Sequence, residues 1–197
     1  METLLKELCE TVGLPGWEEQ VSGVVKRWLE PCVGRVYLDR NGNLIAWKEG
    51  LKEAPKIMLA AHMDEVGLIV KHVETDGYLR FETLGRIDPR VLPGQKVVCH
   101  TEKGELWGVI GSKPPHIQEE EEKRKVYRVA DLYVDVGADS RKEAFDMGVV
   151  EGTMISFPPF FVGQGDKYVG KAFDDRVGLA VMIETLRRLK NVQHPNM

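Results

Sequence analysis

The chain lacks what several functional classes require. Its three cysteines in 197 residues, Cys9, Cys32 and Cys99, are odd in number, widely spaced and without a C-x-x-C pair. They offer neither a disulfide framework nor a cysteine zinc site, so the expectation is reduced thiols in a reducing, cytoplasmic compartment. No apolar run approaches the roughly 20 residues of a membrane span, and the first residues lack the charged-then-apolar order of a secretory signal. A formal net charge of -4 gives no electrostatic reason to expect nucleic acid or an anionic membrane as a partner.

What is present is a hydrophobic content of 43%, enough for one domain or two small ones. Leu4, Leu5, Leu8 and Val12 are spaced for an amphipathic helix, and after a break at Gly13 to Gly16, Val21, Val24, Val25, Trp28 and Leu29 give a second. Val36 to Leu38 and Leu44 to Trp47 flank Asn41 and Gly42, a pair suited to the positive dihedrals of a tight turn. The wholly apolar run Ile57 to Ala61 reads as a buried strand. Helices alternating with strands in this way predict an α/β sandwich.

From Gly67 to about Gly165 the pattern changes to short β segments between turns. Candidate strands are Leu68 to Val73, Tyr78 to Phe81, Lys96 to His100, Glu105 to Val109, Leu132 to Val136 and Thr153 to Phe157, with a short helix at about Ser140 to Met147. Turn signals at that density predict a small β-barrel. From Gly165 the chain is expected to return to the first domain through Tyr168 to Phe173 and a last helix. The predicted division is therefore residues 1–67 plus 166–197, an α/β domain, interrupted by a barrel at 68–165.

Two short motifs carry chemistry. In A-H-M-D-E-V-G, from Ala61 to Gly67, His62 ends the apolar run and Asp64 lies two residues on, where side chains of an extended segment point the same way. A carboxylate beside a histidine accepts its second ring proton and fixes which nitrogen is left for a metal. In G-K-A-F-D-D-R-V-G, from Gly170 to Gly178, Asp174 and Asp175 precede an apolar helical run, where they serve either as cap or as ligand. Each feature alone has an ordinary structural explanation; their joint occurrence is what points to a site.

Together with G-R-I-D-P-R-V-L-P-G-Q-K-V from Gly85 to Val97 and D-L-Y-V-D-V-G from Asp131 to Gly137, these motifs resemble the tetrahedral (TET) aminopeptidases, the forty-second metallopeptidase family, also called deblocking or glutamyl aminopeptidases and sometimes endoglucanases. The resemblance runs over the whole chain. It implies a phosphorylase/hydrolase-like α/β catalytic domain with an inserted β-barrel used for dimerisation. It also implies a cytosolic hydrolase with two divalent metal ions, zinc or cobalt, that removes N-terminal residues from peptide substrates, and a homo-oligomer of dimers building a hollow dodecamer. By position, His62 would bind one metal, Asp174 would bridge both, and Asp64 would act catalytically by orienting His62. In the family a Glu-Glu pair, a later Asp and a later His complete the metal shells, and the sequence to Met197 holds none of these. The α/β domain is therefore expected to be incomplete, metal binding weak or absent, and the chain inactive alone.

The last helix points the same way. Val177, Leu179, Ala180, Val181, Met182 and Ile183 are apolar nearly all the way round, which predicts cover from a partner chain or further residues. Two alternatives stand beside this: a non-catalytic scaffold or regulatory subunit, and a glycosidase, for which adjacent Asp174 and Asp175 are a poor carboxylate pair. His72, His100, His116 and His194 lack ligand-like neighbours and read as structural. Glu119 to Glu122 with Lys123 to Lys125 reads as a solvated loop, and Arg86, Asp88 and Arg90 as a source of structural ion pairs.

Overall fold

The computed structural model describes residues 1–50, 54–121 and 125–193. Part of the 119–125 charge block and all of His194 lie outside them. The chain divides into two compact units, Met1–Glu65 with Pro159–Met197, and Val66–Pro158. Among the described residues no helix is long and apolar enough to cross a membrane.

The first unit is built on three helices, α1 (Glu2–Glu10), α2 (Glu19–Leu29) and α4 (Phe173–Leu189). The apolar residues of α1 and α2 recur every three or four positions, so each of these presents one stripe. Leu4, Leu5, Leu8 and Cys9 of α1 meet Val21, Val24, Val25 and Leu29 of α2 and Leu179, Ala180 and Ile183 of α4 in one buried cluster. Fully burying side chains of this size stabilises by roughly 1.5–3 kcal/mol each. On the opposite face of α4, Val177 and Val181 remain exposed. Within this chain α1 and α2 cover the face of α4 that carries Leu179, Ala180 and Ile183.

Two hairpins complete this unit. β1 (Arg35–Leu38) pairs antiparallel with β2 (Leu44–Trp47). Their loop is closed by the Asp39 carboxylate, which accepts the N–H groups of Asn41 and Asn43, both at 2.9 Å, while Gly42 alone takes a positive φ, 85°. β9 (Phe161–Gln164) pairs with β10 (Lys167–Gly170), and the Phe161 ring joins the helical core edge-on to Phe173 at 6.3 Å. Because β9 belongs with β10, the return to the first unit falls at Pro159 and not at residue 166.

The second unit is a closed barrel. β3 (Gly67–Val73), β4 (Leu79–Leu84), β5 (Lys96–Thr101), β6 (Gly104–Ser112), β7 (Leu132–Asp135) and β8 (Met154–Ser156) close in the order β3-β4-β7-β6-β5-β8, with α3 (Arg141–Asp146) between β7 and β8. The core is filled by alternate residues, including Leu68, Val70, Leu79, Phe81, Val97, Cys99, Ile110, Leu132, Val134 and Ile155. Strict alternation in β3 would continue inward to His72. A register shift between Val70 and His72 instead turns Val73 inward and His72 out. There His72 Nε2 lies 3.1 Å from an Arg141 nitrogen and Nδ1 3.6 Å from Glu151, so it does have an acidic neighbour. Asp88 and Arg90 form the expected local ion pair, whose guanidinium holds the Asp88 carboxyl down at about 2.

Candidate functional site

The run Ile57 to Ala61 corrects the reading of a buried strand. It has no strand partner among the described residues, and Ile57, Met58 and Leu59 are exposed, Met58 at 89%. Apolar composition makes a segment suitable for burial, but a strand exists only when neighbouring strands take its N–H and C=O groups. The neighbouring hairpins pair within themselves.

At the end of this segment His62 stands between two carboxylates. Its Nδ1 lies 3.0 Å from Asp64 Oδ1 and its Nε2 lies 3.0 Å from Asp174 Oδ1, a residue 112 positions away. All three predicted site residues are therefore brought together within the first unit. The His62 and Asp174 side chains are open to solvent, 51% and 97% exposed, and Asp64 is 37% exposed. Partial burial is the largest single influence on the imidazole and lowers its pKa. The hydrogen bonds and charges of Asp174 and Asp64 together outweigh it, so His62 titrates above its ordinary 6.5.

The adjacent acidic residues of the second motif divide the work that the sequence left open. Asp174 and Asp175 both have non-helical dihedrals, with a cis peptide bond between them, so the regular turns of α4 begin after Asp175. Asp175 Oδ1 accepts the Gly178 N–H at 3.0 Å, which is the N-cap arrangement three residues ahead of the donor. A Cβ at position 178 would lie 2.5 Å from that same oxygen and would push the capping carboxylate aside. With the cap supplied by Asp175, the Asp174 carboxylate is free to face His62.

Beneath these residues lies a buried ionic group to which sequence reasoning gave no role. Lys171 Nζ holds both Glu65 oxygens, at 2.5 and 2.7 Å, with side-chain exposures of 12% and 4%. Arg176 is fully buried, and its Nη1 donates to the carbonyls of Leu8 and Thr11. Burial lowers the pKa of both Lys171 and Arg176, with Glu65 opposing the shift, and it raises the Cys9 thiol to about 11 although Arg176 and Lys171 pull that group down. One signal was available in the sequence. A helix N-terminus favours acidic residues, so an arginine in the first turn of α4 needs another reason to be there.

As to metals, an imidazole nitrogen and a carboxylate oxygen are donor types that zinc and cobalt accept. Among the described residues, no group of three or more His, Cys, Asp or Glu is arranged to hold an ion. The donors fit in kind and fall short in number, since zinc takes about three or four protein ligands.

The chain is similar over nearly all of its length to known proteins. The sequence profile of the M42 glutamyl aminopeptidase family matches residues 42–197. Lysyl aminopeptidase of Pyrococcus furiosus is 40% identical over 189 residues, covering 94% of this chain and 54% of that protein. The crystal structure of a TET aminopeptidase from a marine sediment archaeon, Thaumarchaeota archaeon SCGC AB-539-E09, superposes with a TM-score of 0.94 at 40% identity, covering 98% of this chain and 56% of that one. The TET1 peptidase of Pyrococcus horikoshii, described as assembling into a tetrahedron or a large octahedral shell, superposes at 0.83 with 34% identity over 96% of this chain and 56% of that one. The chain thus spans about half the length of the curated relatives it matches. With the profile covering most of its residues, this chain belongs to the M42 glutamyl aminopeptidase family.

Proposed function

We propose that this chain supplies the His62 and Asp174 portion of a two-metal aminopeptidase centre that releases N-terminal residues from peptides in the cytoplasm. The observation that carries the reading is the placement of one imidazole between Asp64 and Asp174, drawn from segments 112 residues apart. With Nδ1–H donating to Asp64, Nε2 keeps its lone pair for a metal, and the carboxylate makes the ring a stronger donor. Asp174, relieved of capping by Asp175, has one oxygen on His62 Nε2 and a side chain that is otherwise open to solvent, which suits it to bridging. Zinc or cobalt ions held there would lower the pKa of a bound water and polarise the scissile carbonyl.

Further donors and a general base must come from residues other than those described, because two ligands do not hold such an ion firmly. The 197-residue chain alone is therefore inactive. In the assembled enzyme the barrel of the second unit joins protomers into dimers; the tetrahedron or octahedral shell named for the TET1 relative supports a larger assembly. A glycosidase reading has little support, since Asp175 is committed to the Gly178 N–H and leaves Asp174 without a partner across a sugar.

The test is hydrolysis of aminoacyl p-nitroanilides with added zinc or cobalt, comparing this chain with a form that carries whatever the gene encodes beyond codon 197. Activity is expected only in a form that supplies the remaining donors, and it should vanish with a chelator and in His62→Ala. Turnover by the 197-residue chain near that of a full-length family member, or activity that survives His62→Ala, would refute the proposal.

A further inference from the structure

Arg176 presents an unusual cost. It is fully buried, only Nη1 is hydrogen bonded, and Nε and Nη2 have no partner within the described structure. A buried cation with unmet donors is unfavourable, and an apolar side chain of similar length would avoid that cost. Simple core filling therefore does not account for it, and what it touches suggests another role.

Arg176 lies two residues after Asp174 on the chain. Its Nη1 holds the carbonyls at the end of α1, Leu8 and Thr11, and its Nη2 lies so close to Gly13 that a Cβ there would be 3.0 Å away. The Gly13 carbonyl in turn accepts the Glu65 N–H at 2.8 Å, and the Glu65 side chain is locked to Lys171, three residues before Asp174. A closed circuit results. It runs from the Asp174 turn through Arg176 to the α1 turn, on to Glu65 beside Asp64 and His62, and back through Lys171. It fixes the two motif segments to one another without touching the reacting groups.

We propose that Arg176 is a positioning residue that, with the Glu65–Lys171 pair, holds the His62 segment at hydrogen-bonding distance from Asp174. The proposal rests on the reading of His62 and Asp174 as metal ligands for its importance to activity, but its geometry can be tested without metal. The two motifs share no strand pairing among the described residues, so a tether of this kind is what sets their separation.

The experiment is native-state amide hydrogen exchange by NMR on the chain and its Arg176→Met variant, together with cobalt(II) titration of both and of His62→Ala. Exchange at Glu65 should rise tenfold or more in Arg176→Met while the amides of Val24 and Val25 in α2 stay unchanged, and the cross-relaxation between His62 Hε1 and the Asp174 β protons should weaken. An equal rise at Val24, Val25 and Glu65 would mean a merely structural role and would overturn the proposal, as would no rise at Glu65. If Arg176→Met does not fold, Arg176→Lys, which keeps the charge and loses the fork, should raise Glu65 exchange severalfold; wild-type exchange there overturns it. In the metal arm, cobalt affinity should weaken about 10- to 100-fold, as for other residues that support a ligand. Aminopeptidase activity that survives His62→Ala in a form carrying the remaining donors would sink the metal reading while leaving the tether to be judged by exchange.

Discussion

Replacing each of the two adjacent aspartates by alanine separates structure from chemistry. Asp175→Ala removes the oxygen that accepts the Gly178 N–H at 3.0 Å and leaves the first turn of α4 uncapped. Loss of such a cap costs about 1 kcal/mol, within a range of about 0.5–2. For a unit of about 100 residues that is about 4–8 °C in melting temperature. Asp174→Ala removes a side chain that is 97% exposed and whose hydrogen bond is to His62, so its effect on stability should stay within about 0.5 kcal/mol. Urea unfolding followed by circular dichroism should therefore place the Asp175→Ala midpoint clearly below that of Asp174→Ala. The His62 ring resonances should respond in the opposite order, moving strongly only in Asp174→Ala. If Asp174→Ala is as destabilising as Asp175→Ala, or if Asp175→Ala perturbs His62 more, the assignment of cap and ligand is wrong.

Other consequences can be measured on the same protein. His62 should titrate above 6.5 by NMR and drop back in Asp174→Ala; since its folded pKa is the raised one, its contribution to stability is complete below pH 6.5 and fades as pH rises through the folded value, and a midpoint at or below 6.5 would contradict this. Glu184, held down to about 2 by hydrogen bonds from Arg187 and Arg188, stabilises α4 above its ordinary 4.5, and that contribution should be lost as pH falls from 4.5 towards 2. Retained amide protection in the last turns of α4 throughout that window would count against the triad. Cys9 and Cys99, raised by burial to about 11 and about 12, should resist a disulfide reagent at pH 8 until the chain is unfolded, whereas rapid labelling of either in the native protein would show that the cores are open.

The sequence disclosed those parts whose partners are local. Helical spacing in Leu4 to Leu8 and Val21 to Leu29 predicted α1 and α2 because a stripe on a helix is set within a few residues. Short β segments between closely spaced turn signals likewise predicted all six barrel strands. The His62, Asp64 and Asp174 cluster was legible because His62 and Asp64 sit two residues apart on an extended segment and the second motif carries an acidic pair at a helix start. What could not be read depended on distant residues. The exposure of Ile57 to Leu59 reflects strand partners that the described residues do not provide. The outward turn of His72 follows from a one-residue register shift, which leaves no mark in composition. The burial of Arg176 reverses the usual rule for a charged side chain, because two carbonyls and a glycine from another segment receive it.

The central claim is that His62 and Asp174 are ligands and Asp64 is the residue that orients His62. The direct measurement is anomalous diffraction at the zinc edge from crystals of the zinc-loaded enzyme. The account predicts a metal about 2.0–2.2 Å from both His62 Nε2 and an Asp174 oxygen, with Asp64 still hydrogen bonded to Nδ1 and outside the coordination sphere. A metal bound elsewhere, or one coordinated through His62 Nδ1 or by Asp64, would contradict it.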